Sequence, residues 1–377
     1  MSLAKTIRGL LFCCFFVASS FLSFVFILCP GAILFLLLRK INLYQRWNTY
    51  WLALFMTLLT ALLELLGGTK VVFHGDYVSP DERYLMIGNH RTELDWAYSW
   101  MIYTRFGMLE HFKLVLKDSL RHVPIWGYVC QACGYLFVKR NWQEDQLLLA
   151  KHCKHLKQSG APIQLLLFPE GADLEGSGKA KSDAYAKANN LPIYEHLLHP
   201  RTSGFTYLVS HLNDHLDCVV DMTVAYPKNV VYSFKEIFLG NFPEEIHFHL
   251  KRHPVSTMPD DAKELSAWLK SDWEHKETRL AQFYRSGSFE LPTDAQSQAK
   301  QIHKAIDIGA LNLVVHHRLF YVALFWILFT LATSFAILTT WYVRWYVVLM
   351  SLANLLIEHH LGGLLHLELQ LAETATA

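Results

Sequence analysis

The sequence predicts an α/β domain, a mixed sheet with surrounding helices, set between N-terminal and C-terminal membrane helices. Three observations carry that prediction. Short β-type runs alternate with helix-periodic stretches through the middle of the chain, and apolar runs of spanning length occur only outside it. The 377 residues are also 52% hydrophobic and 18% charged, with a mean hydropathy of +0.19, where an ordinary soluble protein carries about 25% charged residues.

These figures exclude disorder, collagen and a disulfide miniprotein. Thirty-four Lys and Arg balance 33 Asp and Glu for a net charge of +1, and no basic run occurs, so nucleic acid is set aside as a partner. The seven cysteines are an odd number. Cys13, Cys14 and Cys29 lie in apolar runs, Cys153 stands alone, and Cys130-x-x-Cys133 has no second pair at zinc-site spacing, so neither a disulfide framework nor a metal site is expected.

Gly9 to Leu38 carries no charge, which exceeds the about 20 residues of a spanning helix and the roughly 7–15 of a signal-peptide core. Although Lys5 and Arg8 make a basic start, the segment reads as a retained anchor. Pro30-Gly31 predicts a kink, or a turn back within one leaflet. A second run, Trp47 to Gly68, opens with the interfacial aromatics Trp47, Tyr50 and Trp51 and is marred only by Glu64, to which no function is given. At the other end Phe320 to Leu338 and Val343 to Ile357 predict a helical hairpin. Basic residues flank the first run on both sides, so charge does not orient it.

Between Thr69 and Leu313 nothing reaches spanning length, so this block lies on one side of the bilayer as one folded domain. Its strand-like runs are Val71–Gly75, Tyr84–Gly88, Tyr135–Val138, Gln164–Phe168, Val219–Tyr226 and Ile246–Leu250; Glu93–Tyr103, Gln143–Lys157 and Ala262–Phe283 read as helices. The division expected is therefore membrane-embedded helices over 1–68, a catalytic domain over 69–312 and a membrane hairpin with its tail over 313–377. No nucleotide-binding glycine motif occurs.

Polar chemistry gathers where strands stop. In Gly88-Asn89-His90-Arg91-Thr92-Glu93-Leu94-Asp95 a strand gives way to a helix. Residues five apart on a regular helix differ by about 140° in direction, so His90 and Asp95 meet only if His90 precedes the helix. There the carboxylate would hold one ring nitrogen while the other acts as a base. A His-Asp dyad without a serine suits deprotonation of a hydroxyl supplied by the substrate. On its own the spacing fits a solvated helix cap equally well.

Two further motifs follow. Gly134-Tyr135-Leu136-Phe137-Val138-Lys139-Arg140 brings a strand out into a basic pair, where the Arg140 fork suits phosphate oxygens or a salt bridge. Phe168-Pro169-Glu170-Gly171 ends a buried strand in a turn that sets backbone amides beside a carboxylate. His199-Pro200-Arg201-Thr202-Ser203-Gly204-Phe205 and Asp221–Pro227 add polar turns.

In this order and spacing, NHRTELD, GYLFVKR, FPEG and the later HPRTSGF and DMTVAYP segments resemble the glycerophospholipid acyltransferases of the lysophosphatidic acid acyltransferase superfamily. The wording FPEGADL, YEHLLHPRTSGF and FPEEIHFHLKR is similar to its lysocardiolipin acyltransferase branch, from about Val71 to Tyr284. The resemblance implies a glycerol-phosphate acyltransferase-like fold, with His90 as general base and Asp95 orienting it. It places Gly134, Phe137 and Arg140 in the acceptor-phosphate motif, Glu170 and Gly171 in the acceptor-headgroup motif, and Asn89, Arg91 and Pro169 in support.

It further implies acyl-CoA as co-substrate, a lysophospholipid as acceptor, no metal or prosthetic group, and an endoplasmic reticulum membrane location with the motifs facing the cytosol. The family usually has Thr or Ser after Pro-Glu-Gly; Ala172 stands there, which bears on headgroup affinity. Amides of the Asn89-His90-Arg91 turn are candidate oxyanion donors. The apolar stretch Val123–Val138 is read either as an acyl-chain groove or as plain core.

The expected acceptors are lysocardiolipin, lysophosphatidylinositol or lysophosphatidylglycerol, with lysophosphatidic acid as the alternative and an inactive membrane scaffold as a remoter one. A di-iron desaturase lacks the HxxxH and HxxHH clusters it needs.

Overall fold

The computed structural model describes residues 3–123, 125–158, 162–289 and 308–376. The end of the expected catalytic block, 290–307, and Pro124 of the Val123–Val138 stretch lie outside the described residues.

Two long helices open the chain, α1 (Leu3–Leu37) and α2 (Ile41–Leu66), both long and apolar enough to cross a membrane. Pro30-Gly31 does not turn α1 back, and the helix runs on through it to Leu37. Residues Phe24–Leu28 widen into a π-helical turn, and Pro30 falls at the start of the α-helical segment that follows, where a missing N–H costs least. Gly31 is a contact point: a Cβ there would lie 2.3 Å from Nε1 of Trp47, whose N–H donates to the Ile27 carbonyl at 3.1 Å. The proline-glycine pair thus seats α2 against α1. Glu64, near the end of α2, accepts two hydrogen bonds from the Arg105 guanidinium at 2.7 and 3.0 Å.

The remaining elements are β1 (Lys70–Gly75), β2 (Tyr84–Gly88), α3 (Asp95–Phe106), β3 (Phe112–Lys117), α4 (Trp126–Ala132), β4 (Leu136–Val138), α5 (Trp142–Gln158), β5 (Gln164–Leu167), α6 (Ser177–Ala188), α7 (Thr202–Leu212), β6 (Cys218–Ala225), β7 (Glu245–Pro254) and α8 (Ala262–Ser286). A short helical turn spans Phe234–Phe238. Six strands are those expected from the sequence, and β3 is additional. They form one mixed sheet in the order β1-β7-β6-β2-β5-β3-β4. From β6 to β4 the strands are parallel; β7 runs antiparallel to β6, with β1 parallel to β7. Sites in such sheets form outside the carboxyl ends of the parallel strands. Here those ends are Gly88, Lys117, Val138, Leu167 and Ala225.

Alternation along β2 divides the core. Tyr84 and Met86 pack into the cluster that also holds Phe16, Phe55 and Tyr98, whereas Leu85 and Ile87 face the opposite cluster, with Leu149, Phe205 and Trp273. The first cluster runs unbroken from the sheet through α3 into α1 and α2.

At the C-terminus α9 (Ile308–Thr339) and α10 (Trp341–Leu361) break at Thr340, and α10 meets α11 (Leu364–Thr376) at a bend of 63°. Val314–Thr339 of α9 is also long and apolar enough to cross, and the bent pair counts as a fourth span if taken as one. Trp326 donates to the Leu54 carbonyl at 3.3 Å and Tyr346 to the Val25 carbonyl at 3.1 Å, so both C-terminal helices pack on the N-terminal pair. Near the bend, Glu358 accepts from Gln131 of α4 at 3.0 Å, and the Gly362 carbonyl accepts from Arg121 at 2.7 Å.

Candidate active site

β2 ends at Gly88 and α3 begins at Asp95, so His90 stands in the intervening turn and Asp95 in the first helical turn. His90 Nδ1 lies 3.0 Å from Asp95 Oδ2. Asp95 is fully buried and takes three further donors: the Thr92 amide at 2.8 Å, the Thr92 hydroxyl at 3.2 Å, and the Tyr226 hydroxyl in a short hydrogen bond. Three hydrogen-bond donors and the His90 ring nitrogen together fix the carboxylate in one orientation. The imidazole stacks on Phe168 with ring centroids 4.5 Å apart. With Nδ1 held by Asp95, Nε2 is the nitrogen left for a substrate. The Asn89 side chain bridges to β6, donating to the Val224 carbonyl at 3.1 Å and accepting from its amide at 2.7 Å.

Glu170, expected in the acceptor-headgroup motif, lies beneath the turn. It is buried, its Oε1 accepts the His90 amide at 3.3 Å and its Oε2 the Leu198 amide at 3.2 Å. Burial pushes its carboxyl well above the ordinary range, against the pull of those two amides. The His90 amide is thereby occupied, and that one candidate oxyanion donor is withdrawn. Glu170→Ala strands the buried Leu198 N–H and the part-buried His90 N–H, at up to about 1–3 kcal/mol each. The expected outcome is a lower thermal midpoint together with slower turnover, both milder in Glu170→Gln; heat-denaturation curves and initial rates on the same preparations check it.

A cavity of about 950 Å³ opens at the carboxyl edge of the sheet, and His90, Arg140, Pro169, Gly171, Ala172 and Asp173 line its polar end. Its other walls are mainly apolar: Leu52, Phe55 and Met56 from α2, Trp96 and Trp100 from α3, and Val123, Trp126, Val129, Cys130, Cys133, Tyr135 and Val138 from the stretch read as groove or core. Arg140 sits at φ 65°, a left-handed backbone that costs a non-glycine residue about 1–3 kcal/mol, and its Nη2 donates to the Gly171 carbonyl at 2.5 Å. Gly171, at φ +69°, closes the Pro-Glu-Gly turn.

Other expected residues stand behind this surface. Gly134 ends α4 with its amide on the Gln131 carbonyl, and buried Phe137 faces Arg121, whose guanidinium carbon is 5.8 Å from the ring centroid. Arg91 lies 6.0 Å from the Tyr284 ring. Gly134, Phe137 and Arg91 do not border the cavity.

Sequence reasoning missed Tyr226 and Thr92 as partners of Asp95. It also missed a buried ionic group beneath β2 and β6: Lys276 of α8 is 2.6 Å from Asp221 Oδ1 and donates to the carbonyls of Ile87 and Met222 at 3.2 and 3.1 Å. Arg279 adds hydrogen bonds to Asp221 and Thr223 at 2.9 and 2.8 Å. No cluster suited to a metal ion occurs among the described residues.

Residues 70–226 match the family model described as Acyltransferase, and residues 236–314 the one described as Acyltransferase C-terminus. Lysocardiolipin acyltransferase 1 of Mus musculus is 36% identical over 364 residues, which is 96% of this chain and 94% of that protein. A probable 1-acyl-sn-glycerol-3-phosphate acyltransferase 5 of Arabidopsis thaliana is 31% identical over 86% of this chain and 87% of its own. Lysophosphatidylinositol acyltransferase 10 of Caenorhabditis elegans is 34% identical over 68% of this chain and 65% of its own.

Proposed function

The chain belongs to the acyltransferase family, and we propose that it moves the acyl group of acyl-CoA to the free hydroxyl of lysocardiolipin, lysophosphatidylinositol or lysophosphatidylglycerol. The observation that carries this reading is the His90 Nδ1 to Asp95 Oδ2 contact of 3.0 Å at the polar end of a large apolar cavity. His90 Nε2 takes the proton of the acceptor hydroxyl as its oxygen attacks the thioester carbonyl. The tetrahedral adduct then expels the CoA thiolate, and the imidazolium returns its proton to sulfur. Asp95 keeps the second ring proton on Nδ1 and stabilises the cation. Arg140 binds the acceptor phosphate, and Pro169 and Gly171 form the floor beside it. No serine carries the acyl group at any stage.

The same reading sets 1–68 and 313–377 in the endoplasmic reticulum membrane, with 69–312 on the cytosolic side where acyl-CoA is found. The Arabidopsis relative's name supports a second acceptor, lysophosphatidic acid. The deciding assay supplies membranes carrying the chain with one labelled acyl-CoA and equal amounts of monolysocardiolipin, lysophosphatidylinositol, lysophosphatidylglycerol and lysophosphatidic acid. Product should come mainly from the first three. Labelled phosphatidic acid as the dominant product would establish the second reading, and no labelled product at all would defeat both.

A further inference from the structure

Among the charged side chains on the cavity wall, Arg201 and Asp173 have no part in the chemistry above. Arg201 immediately precedes α7, and its amide donates to the Pro169 carbonyl at 2.8 Å, which ties it to the Pro-Glu-Gly turn. Its side chain lies along Gly171: a Cβ on that glycine would be 3.4 Å from both Cδ and Nε of Arg201. Arg140 reaches the carbonyl of the same glycine, so two guanidinium groups meet at Gly171. Asp173 is two residues further on. The Leu174 amide donates to the His90 carbonyl at 2.9 Å, which lays this segment directly beside the dyad turn. Both Arg201 and Asp173 border the cavity, and among the described residues neither side chain has a hydrogen bond or ion pair.

We propose that Arg201 and Asp173 together read the acceptor headgroup: Arg201 grips the phosphate opposite Arg140, and Asp173 accepts hydrogen bonds from the hydroxyls of a polyol esterified to that phosphate. This rests on the acyltransferase reading of the site and adds a basis for acceptor choice. A phosphodiester carries one negative charge, and its glycerol or inositol supplies hydroxyl donors. A phosphomonoester such as lysophosphatidic acid carries about −1.5 to −2 at neutral pH and has no such hydroxyl. Two guanidinium forks suit either phosphate. The carboxylate separates them, because it gains hydrogen bonds from the polyol and repels the second charge of the monoester.

The pyrophosphate and 3′-phosphate of CoA are an alternative source of the same anion chemistry, and the kinetics separate the two. Full-length protein in membranes is assayed with labelled oleoyl-CoA, varying lysophosphatidylinositol and lysophosphatidic acid in turn. Asp173→Asn should reduce the kcat/KM preference for lysophosphatidylinositol over lysophosphatidic acid by about tenfold. Arg201→Gln should raise KM for both acceptors by about tenfold with KM for oleoyl-CoA unchanged, and Arg201→Lys should recover part of the loss.

An unchanged acceptor ratio in Asp173→Asn overturns the role of the carboxylate. A rise in KM for oleoyl-CoA alone assigns Arg201 to the donor and overturns its acceptor role. A wild-type protein inactive with every lysolipid overturns the acyltransferase reading as well, whereas an active wild type with unaltered variants overturns only this proposal. Equal heat-denaturation midpoints of variants and wild type exclude misfolding as the cause.

Discussion

His90→Ala is expected to slow turnover by about 10²- to 10⁴-fold, the usual contribution of a positioned general base. KM for either substrate should change little, because on the proposed mechanism the ring acts on the attacking proton and not on the headgroup. Asp95→Asn is expected to be far milder, and the reason is specific to this site. The two donors that cannot reverse, the Thr92 amide and His90 Nδ1–H, both address Oδ2, while the other carboxylate oxygen meets two hydroxyls, Thr92 and Tyr226. An asparagine can place its oxygen on the Oδ2 side and donate its NH₂ to hydroxyls able to accept. The His90 tautomer then survives and only the charge that stabilises the imidazolium is lost, about tenfold in kcat. Initial rates at saturating substrate check both variants. Near-normal turnover in His90→Ala would end the dyad mechanism, and an Asp95→Asn as impaired as His90→Ala would show that the tautomer does not survive.

The largest effect on stability is expected from Lys276. It is fully buried, ion-paired to an equally buried Asp221, placed 3.9 Å from the centroid of the Trp273 ring, and bonded to the carbonyls of Ile87 and Met222. Lys276→Met leaves Asp221 to Arg279 alone, at a cost of about 3–5 kcal/mol for a buried pair broken on one side. That corresponds to a fall of roughly 10 °C in the thermal midpoint of a domain this size. Adding Asp221→Asn should restore part of the loss, since the buried carboxylate that has lost one of its two cations is then neutral. Thermal denaturation in detergent micelles measures both. An additive or worse double variant would mean the two charges are not coupled. Turnover should fall as well, because the Ile87 carbonyl is held three residues ahead of His90.

Much of this was legible in the sequence because it is contiguous there. The dyad falls within one strand-to-helix turn, and the central strands are short, largely apolar runs. β3 escaped because Phe112-Lys113-Leu114-Val115-Leu116-Lys117 mixes two lysines into a short apolar run. Tyr226 escaped because nothing local pairs it with Asp95, 131 residues away. Lys276 had a signal that went unused: Leu269, Trp273, Lys276 and Leu280 follow each other at core spacing along α8, so the lysine occupies a position where the pattern calls for an apolar residue. A charge on the buried stripe of a helix predicts a buried partner. The burial of Glu170 escaped for the opposite reason, since a carboxylate in a turn reads as exposed until its two amide donors are seen.

The wall that α2 gives to the cavity bears on how rate depends on concentration. Leu52, Phe55 and Met56 belong to a helix long and apolar enough to cross a membrane. A lipid chain passing beside them exchanges one hydrocarbon environment for another. It is spared the roughly 0.8 kcal/mol per methylene of a passage through water. On the acyl-transfer reading, the quantity that sets the velocity is then the mole fraction of lysolipid in the leaflet, not its molarity in the suspension. Adding inert phospholipid at fixed total lysolipid should slow the reaction by surface dilution, while diluting the whole suspension with buffer should leave turnover per enzyme unchanged so long as acyl-CoA stays saturating.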